Sequence, residues 1–159
     1  MENNIELHFI KQACDLAITS VSKGTGPFGC VITDLNYNEI SYGHNKVTEL
    51  NDPTAHAEIV AIRNACDKLN TFDLSNCKLF TSCEPCPMCL SAIYWSRIKH
   101  VIYANTKTDA KNIGFDDEFI YDELKKENKD KCLELKQIYC PNSSISFDLW
   151  KNKIDKINY

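Results

Sequence analysis

Thr81-Ser82-Cys83-Glu84-Pro85-Cys86-Pro87-Met88-Cys89 is the stretch on which the fold turns. Its first residues continue a short strand that starts near Lys78. Pro85 and Pro87 suit the opening of a helix but not its interior. The chain therefore passes here from strand into helix, and the helix runs to about Arg97 through Leu90, Ile93 and Tyr94. Cys86 and Cys89 stand three apart in its first turn, on one face. Unpaired N–H groups and the helix dipole favour thiolates at that position.

Working upstream, Asn51-Asp52-Pro53-Thr54-Ala55-His56-Ala57-Glu58 precedes a second helix. Asp52 before Pro53 reads as an N-cap with proline at the first helical position, so the helix is expected from about 53 to 69. Ala57, Ala61, Ile62 and Ala65 supply its inward face. Further back, Phe28 to Asp34 and Glu39 to Asn45 read as a hairpin across Asn36-Tyr37-Asn38. Residues 5–21 carry Ile5, Phe9, Ala13, Leu16 and Ala17 at helical spacing, and Lys23-Gly24-Thr25-Gly26-Pro27 ends that helix. Downstream, Val101 to Ala104 is the next strand. Helices alternate with strands, which predicts an α/β sandwich with a mixed sheet. Beyond residue 106 the pattern weakens. Gly114 to Phe119 reads as a turn or short helix, residues 125–131 as a solvated charged run, and Cys132 to Tyr139 as an edge strand. Phe147 to Trp150 opens a last helix.

A chain of 159 residues with 43% hydrophobic content can bury a core as a single domain. It has 18 basic and 22 acidic residues, net −4, which disfavours a nucleic-acid partner. Nine cysteines without a signal-peptide start predict reduced thiols and a cytoplasmic protein. No stretch has the length of a membrane span.

His56, Cys86 and Cys89 offer one imidazole and two thiolates, the donor set of a catalytic Zn²⁺ whose fourth position is left to water. Glu58 follows the histidine by two and can move protons. Residues two apart on a helix do not face each other, so both serve one site only if it lies beyond the helix end. Other readings of the same residues are a redox Cys-x-x-Cys pair, or a structural zinc with Cys83 as fourth ligand. The joined pattern His-x-Glu…Pro-Cys-x-x-Cys is the signature of zinc-dependent deaminases of bases and nucleosides.

The chain resembles the small bacterial-type guanine deaminases of the cytidine-deaminase-like superfamily. The resemblance is carried by Gly26-Pro27-Phe28-Gly29, Gly43-His44-Asn45, the two stretches quoted above, Ala92-Ile93-Tyr94-Trp95 and Gly114-Phe115-Asp116-Asp117-Glu118-Phe119-Ile120-Tyr121, and by the final Tyr159. It implies a three-layer α/β/α sandwich with a central five-stranded mixed sheet. It implies a homodimer that exchanges its C-terminal segment, about 141–159, and hydrolysis of guanine to xanthine and ammonia. Phe28 would then pack near the purine ring and Asn45 would meet its edge. The backbone of Ala57 and of Cys86 would touch substrate, and Trp95 would line the pocket. Asp117 would take the 2-amino side, with Asp116 as the alternative, and Tyr159 would arrive from the partner subunit. Guanosine deaminases and tRNA adenosine deaminases share much of the pattern, and a catalytically silent binding protein of this fold is the non-enzymatic alternative.

Overall fold

The computed structural model describes residues 2–158. The chain divides into two compact units, Met1–Asp117 and Glu118–Tyr159. The first contains α1 (Glu2–Ser22), β1 (Gly29–Asp34), β2 (Glu39–His44), α2 (Val47–Leu50) and α3 (Ala57–Leu69). It continues with β3 (Cys77–Cys83), α4 (Pro87–Trp95), β4 (His100–Asn105) and α5 (Lys107–Asn112). The second contains α6 (Glu118–Lys125), a 3₁₀ turn at Asn128–Asp130 and α7 (Ile145–Asn152).

The strands lie in the order β2-β1-β3-β4. β1 is antiparallel to both β2 and β3, whereas β3 and β4 run parallel with α4 as their crossover. Side chains alternate across the sheet, so β1 serves two cores. Cys30 and Ile32 pack with Leu79, with Ala57, Ala61 and Ala65 of α3, and with Ile93 of α4. Val31 and Phe80 pack on the other face with Phe9 and Ala13 of α1. Helices thus cover both faces of a mixed sheet. Every residue of β3 is buried, and full burial of a Leu or Phe side chain stabilises by about 1.5–3 kcal/mol.

Two glycines set the layers. α1 ends in a Schellman cap, in which the N–H groups of Gly24 and Thr25 donate to the carbonyls of Val21 and Ser20 at 2.9 and 3.1 Å. Gly24 holds the left-handed φ of 76° that this cap requires. At Gly43, a Cβ would lie 2.5 Å from the Ala57 carbonyl oxygen and 2.7 Å from the Ala61 nitrogen. Only glycine lets β2 pass this close beneath α3.

The structure corrects three expectations. α3 begins at Ala57 rather than near Pro53. Asp52 Oδ1 accepts from the Thr54 N–H at 2.8 Å and from the Thr54 hydroxyl at 2.6 Å, and the Asp52 carbonyl accepts from Ala55 at 3.0 Å. The Asp-Pro pair therefore caps a tight turn before the helix. The sheet also has four strands among the described residues, not five. Residues 132–139 form no strand, and Leu133, Leu135, Ile138 and Tyr139 are exposed. Weak alternation without a ladder partner does not make a strand. No helix among the described residues is long and apolar enough to cross a membrane.

Candidate active site

Two helix starts supply the donors. His56 is the N-cap of α3 with extended backbone, φ −67° and ψ 158°. Cys86 is the N-cap of α4 with φ −65° and ψ 168°, and Pro87 follows as the first helical residue. Cys89 lies in the first turn of α4. Its sulfur and that of Cys86 each stand 3.5 Å from His56 Nδ1. The three donor atoms all lie within 4.8 Å of one another.

A tetrahedral zinc with Zn–S of about 2.3 Å and Zn–N of about 2.05 Å separates sulfur from nitrogen by about 3.5–3.6 Å. The trio therefore fits zinc in composition and in spacing. Cys83 is turned elsewhere: its thiol donates to the Thr106 carbonyl at 3.5 Å. Burial pushes that thiol up to about 11, which disfavours the thiolate a metal needs. Among the described residues the site has three protein donors, and the reading of Cys83 as a fourth ligand does not match its geometry.

The N-cap position also resolves how His56 and Glu58 serve one site. His56 stands outside the helix as its cap, while Glu58 is its second residue, and both side chains reach Cys89. Glu58 is only 5% exposed. Its Oε1 accepts from the Thr81 hydroxyl at 3.1 Å, and its Oε2 accepts from Cys89 Sγ at 3.4 Å. Burial raises the Glu58 carboxyl above its ordinary value, and these two hydrogen bonds work in the opposite direction. A carboxyl raised by burial beside a metal-ligating trio can both take and return a proton. The neighbouring Cys89 thiol and then the His56 ring hold the Cys86 thiol below its ordinary value.

The other sequence-predicted residues separate into groups. Asp117, partly buried, has its carboxyl raised first by desolvation and then by the negative charge of Cys86. Its negative charge is in turn the smallest of the causes that raise His56. Asp116 instead pairs with Lys111 at 3.3 Å. Phe28 is half-buried, and Asn45 is buried beside it, its N–H donating to the Phe28 carbonyl at 3.0 Å. Asn45 Oδ1 accepts from the Val47 N–H at 3.1 Å, and this fixes which end of the amide is oxygen. Ala57 is buried as the first residue of α3. Trp95 ends α4 and is 67% exposed. The helical rise puts it about 12 Å along the axis from Pro87, so this chain does not bring it to its own donor trio. Tyr159 lies outside the described residues.

Two neighbours escaped the sequence reading. Thr81 steadies Glu58, and a polar residue in the middle of a buried strand was the available signal. Phe115 packs edge-on against Phe28 with centroids 4.9 Å apart, which only the tertiary fold reveals.

Comparison with known proteins matches this architecture. The model of the cytidine and deoxycytidylate deaminase zinc-binding region matches residues 3–105. The guanine deaminase of Bacillus subtilis is 47% identical over 152 residues, which cover 95% of this chain and 97% of that protein. The X-ray structure of guanine deaminase from Bacillus subtilis superposes with a TM-score of 0.91, covering 96% of this chain and 97% of its own. A tRNA-specific adenosine deaminase of Aquifex aeolicus is 45% identical over 97 residues, 61% of this chain and 64% of its own.

Proposed function

This chain belongs to the cytidine and deoxycytidylate deaminase zinc-binding family, and from that premise we propose that it hydrolyses guanine to xanthine and ammonia. The reading rests on one observation. A buried, raised carboxyl, Glu58, touches a zinc-fitting donor set in a chain whose likeness to a guanine deaminase extends over 95% of its length. Likeness to the tRNA-specific enzyme covers 61%, and the net charge of −4 offers no general attraction to RNA.

His56, Cys86 and Cys89 would hold the ion. When bound, zinc supplies the Lewis acidity that makes water a nucleophile near neutral pH. Glu58 takes a proton from the attacking water, delivers it to a ring nitrogen, and later protonates the departing amine. The new bond joins water oxygen to the purine C2, and the broken bond releases the 2-amino group as ammonia. Thr81 holds the Oε1 end of Glu58, leaving proton traffic to the Oε2 side. Asp117 accepts from the 2-amino side of the base. Adenine lacks an amine there, and a carboxylate left without a donor costs about 1–3 kcal/mol. Asn45 presents its Nδ2 donor to a ring acceptor, because Val47 occupies its oxygen. Phe28 and Phe115 form an aromatic wall for the ring. Ala57 and Cys86 offer backbone groups at two helix starts. We further propose a cytoplasmic homodimer that exchanges residues 141–159, with Tyr159 closing the partner's pocket.

The test supplies zinc-loaded protein with guanine, guanosine, adenine, cytosine and a tRNA, and follows ammonia release. Xanthine from guanine alone is expected, and inosine formed in tRNA would overturn the reading. Asp117→Asn should lower kcat/KM for guanine by about 10- to 100-fold with zinc retained. Unaltered preference among the bases would remove Asp117 from substrate recognition.

A further inference from the structure

Asn45 is gripped at three of its four polar groups. Its N–H donates to the Phe28 carbonyl, and its Oδ1 accepts from Val47. Its backbone carbonyl accepts from the Thr25 hydroxyl at 2.8 Å and from the Ser20 hydroxyl at 3.2 Å. The two hydroxyls also contact each other, and Thr25 reaches the Ser20 carbonyl at 3.0 Å. Ser20 is fully buried and Thr25 nearly so. Among the described residues no group accepts from Asn45 Nδ2.

The origin of this cluster is local. The Schellman cap of α1 turns the chain so that Thr25 comes back over Ser20, one helical turn earlier. Gly24 supplies the left-handed residue, and the cap then aims two side-chain hydroxyls at one carbonyl across 20 to 25 residues of sequence. A cap alone needs neither hydroxyl, because its two bonds are made by backbone N–H groups. Ala, Val or Gly would end the helix equally well at these positions. The hydroxyls fix Asn45.

We propose that Ser20 and Thr25 are positioning residues for substrate recognition: a hydroxyl pair at the end of α1 that holds Asn45 so its Nδ2 faces the base. The proposal rests on the guanine reading for what Asn45 contacts, but not for the grip itself. Two hydroxyls supply two protons. The four contacts are alternatives that share them, one proton lying between the hydroxyls or on a carbonyl at any moment, and no charged group takes part, so the grip is insensitive to pH near neutrality. With the backbone of Asn45 anchored, its side chain has only χ rotation left, and Val47 removes that. The donor is therefore set before substrate arrives, and binding does not have to order it.

The test uses Thr25→Val, which keeps the shape and deletes the hydroxyl, Ser20→Ala, and Thr25→Ser as the conservative rescue. Amide hydrogen exchange at Val47 is read first in the zinc-loaded protein without substrate, since that N–H bonds Asn45 Oδ1. Exchange should quicken about five- to tenfold in Thr25→Val and return in Thr25→Ser, while the β3 amides stay unchanged. KM for guanine is then compared in single and double variants. Thr25→Val should raise KM by about five- to tenfold with kcat little changed, and should raise it no further in an Asn45→Ala background. Unchanged Val47 exchange, or an equal KM penalty in both backgrounds, overturns the proposal. Absence of guanine turnover in the unaltered protein would sink the functional reading, while the exchange measurement would still decide the clamp.

Discussion

The Thr81 hydroxyl on β3 donates to Glu58 Oε1 at 3.1 Å, so the proton-carrying acid is braced by the sheet as well as by its own helix. Glu58→Gln should keep one zinc per chain and lower kcat by about 10²–10⁴. In Thr81→Val, the hydrogen bond that lowers the Glu58 pKa is lost. The carboxyl then ionises at higher pH, and because the ionised form is the base, the acidic limb of kcat/KM should move upward. A pH–rate profile measures this, and an unmoved limb would detach Thr81 from Glu58.

Cys83 lies three residues before Cys86 yet donates its thiol to Thr106. Cys83→Ser should therefore retain one zinc per chain by metal analysis, with activity within a few-fold of the unaltered protein. Cys86→Ser should lose the ion. A zinc-free Cys83→Ser protein would mean that the thiol closes the coordination sphere after all.

Gly43→Ala places a methyl 2.5 Å from the Ala57 carbonyl. The methyl meets backbone atoms of α3, and no rotamer can relieve the contact. Overpacking of this kind costs about 1–3 kcal/mol, read as a fall in Tm. Ala57 follows His56 directly, so zinc affinity should fall with it. A substitution neutral in both would show that α3 can lift without cost.

Asp73 accepts from the Ser75 N–H at 2.9 Å and from Arg97 at 2.7 Å. The Ser75 side chain, then the Ser75 N–H and Arg97, hold its carboxyl down to about 2, against an ordinary 3.8. A carboxyl lower in the folded state stabilises above its unfolded value and loses that contribution as pH falls through the folded one. The Tm gap between the native chain and Asp73→Asn should be present above pH 3.8 and close as pH falls towards about 2. The pair is partly exposed, so salt should narrow the gap. A gap constant over that range would remove the ionised carboxyl from the stability of this corner.

How much could be read from the residues depended on the range of the cause. The hairpin of β1 and β2, and the strand-to-helix passage at Cys86, follow from neighbours in sequence and matched within a residue or two. The donor trio was legible because metal chemistry restricts residue type and spacing together. The start of α3 was not, because Asp-Pro-Thr makes the same local bonds in a turn as at a helix cap. Whether Cys132 to Tyr139 forms a strand depends on a ladder partner, which no property of the segment itself discloses. Thr81, Phe115, Ser20 and Thr25 act across 20 or more residues, beyond the reach of periodicity. Asp117 came from family resemblance, and no pattern in the residues around it points to a purine.

The donors come from two helix caps 30 residues apart, separated by a strand that is buried from end to end. In a nascent chain, the imidazole therefore emerges well before the sulfurs and has nothing to hold until β3 slots between its neighbours. An ion held by both caps ties α3 to α4 across that strand, so chelation should loosen the architecture as well as silence the chemistry.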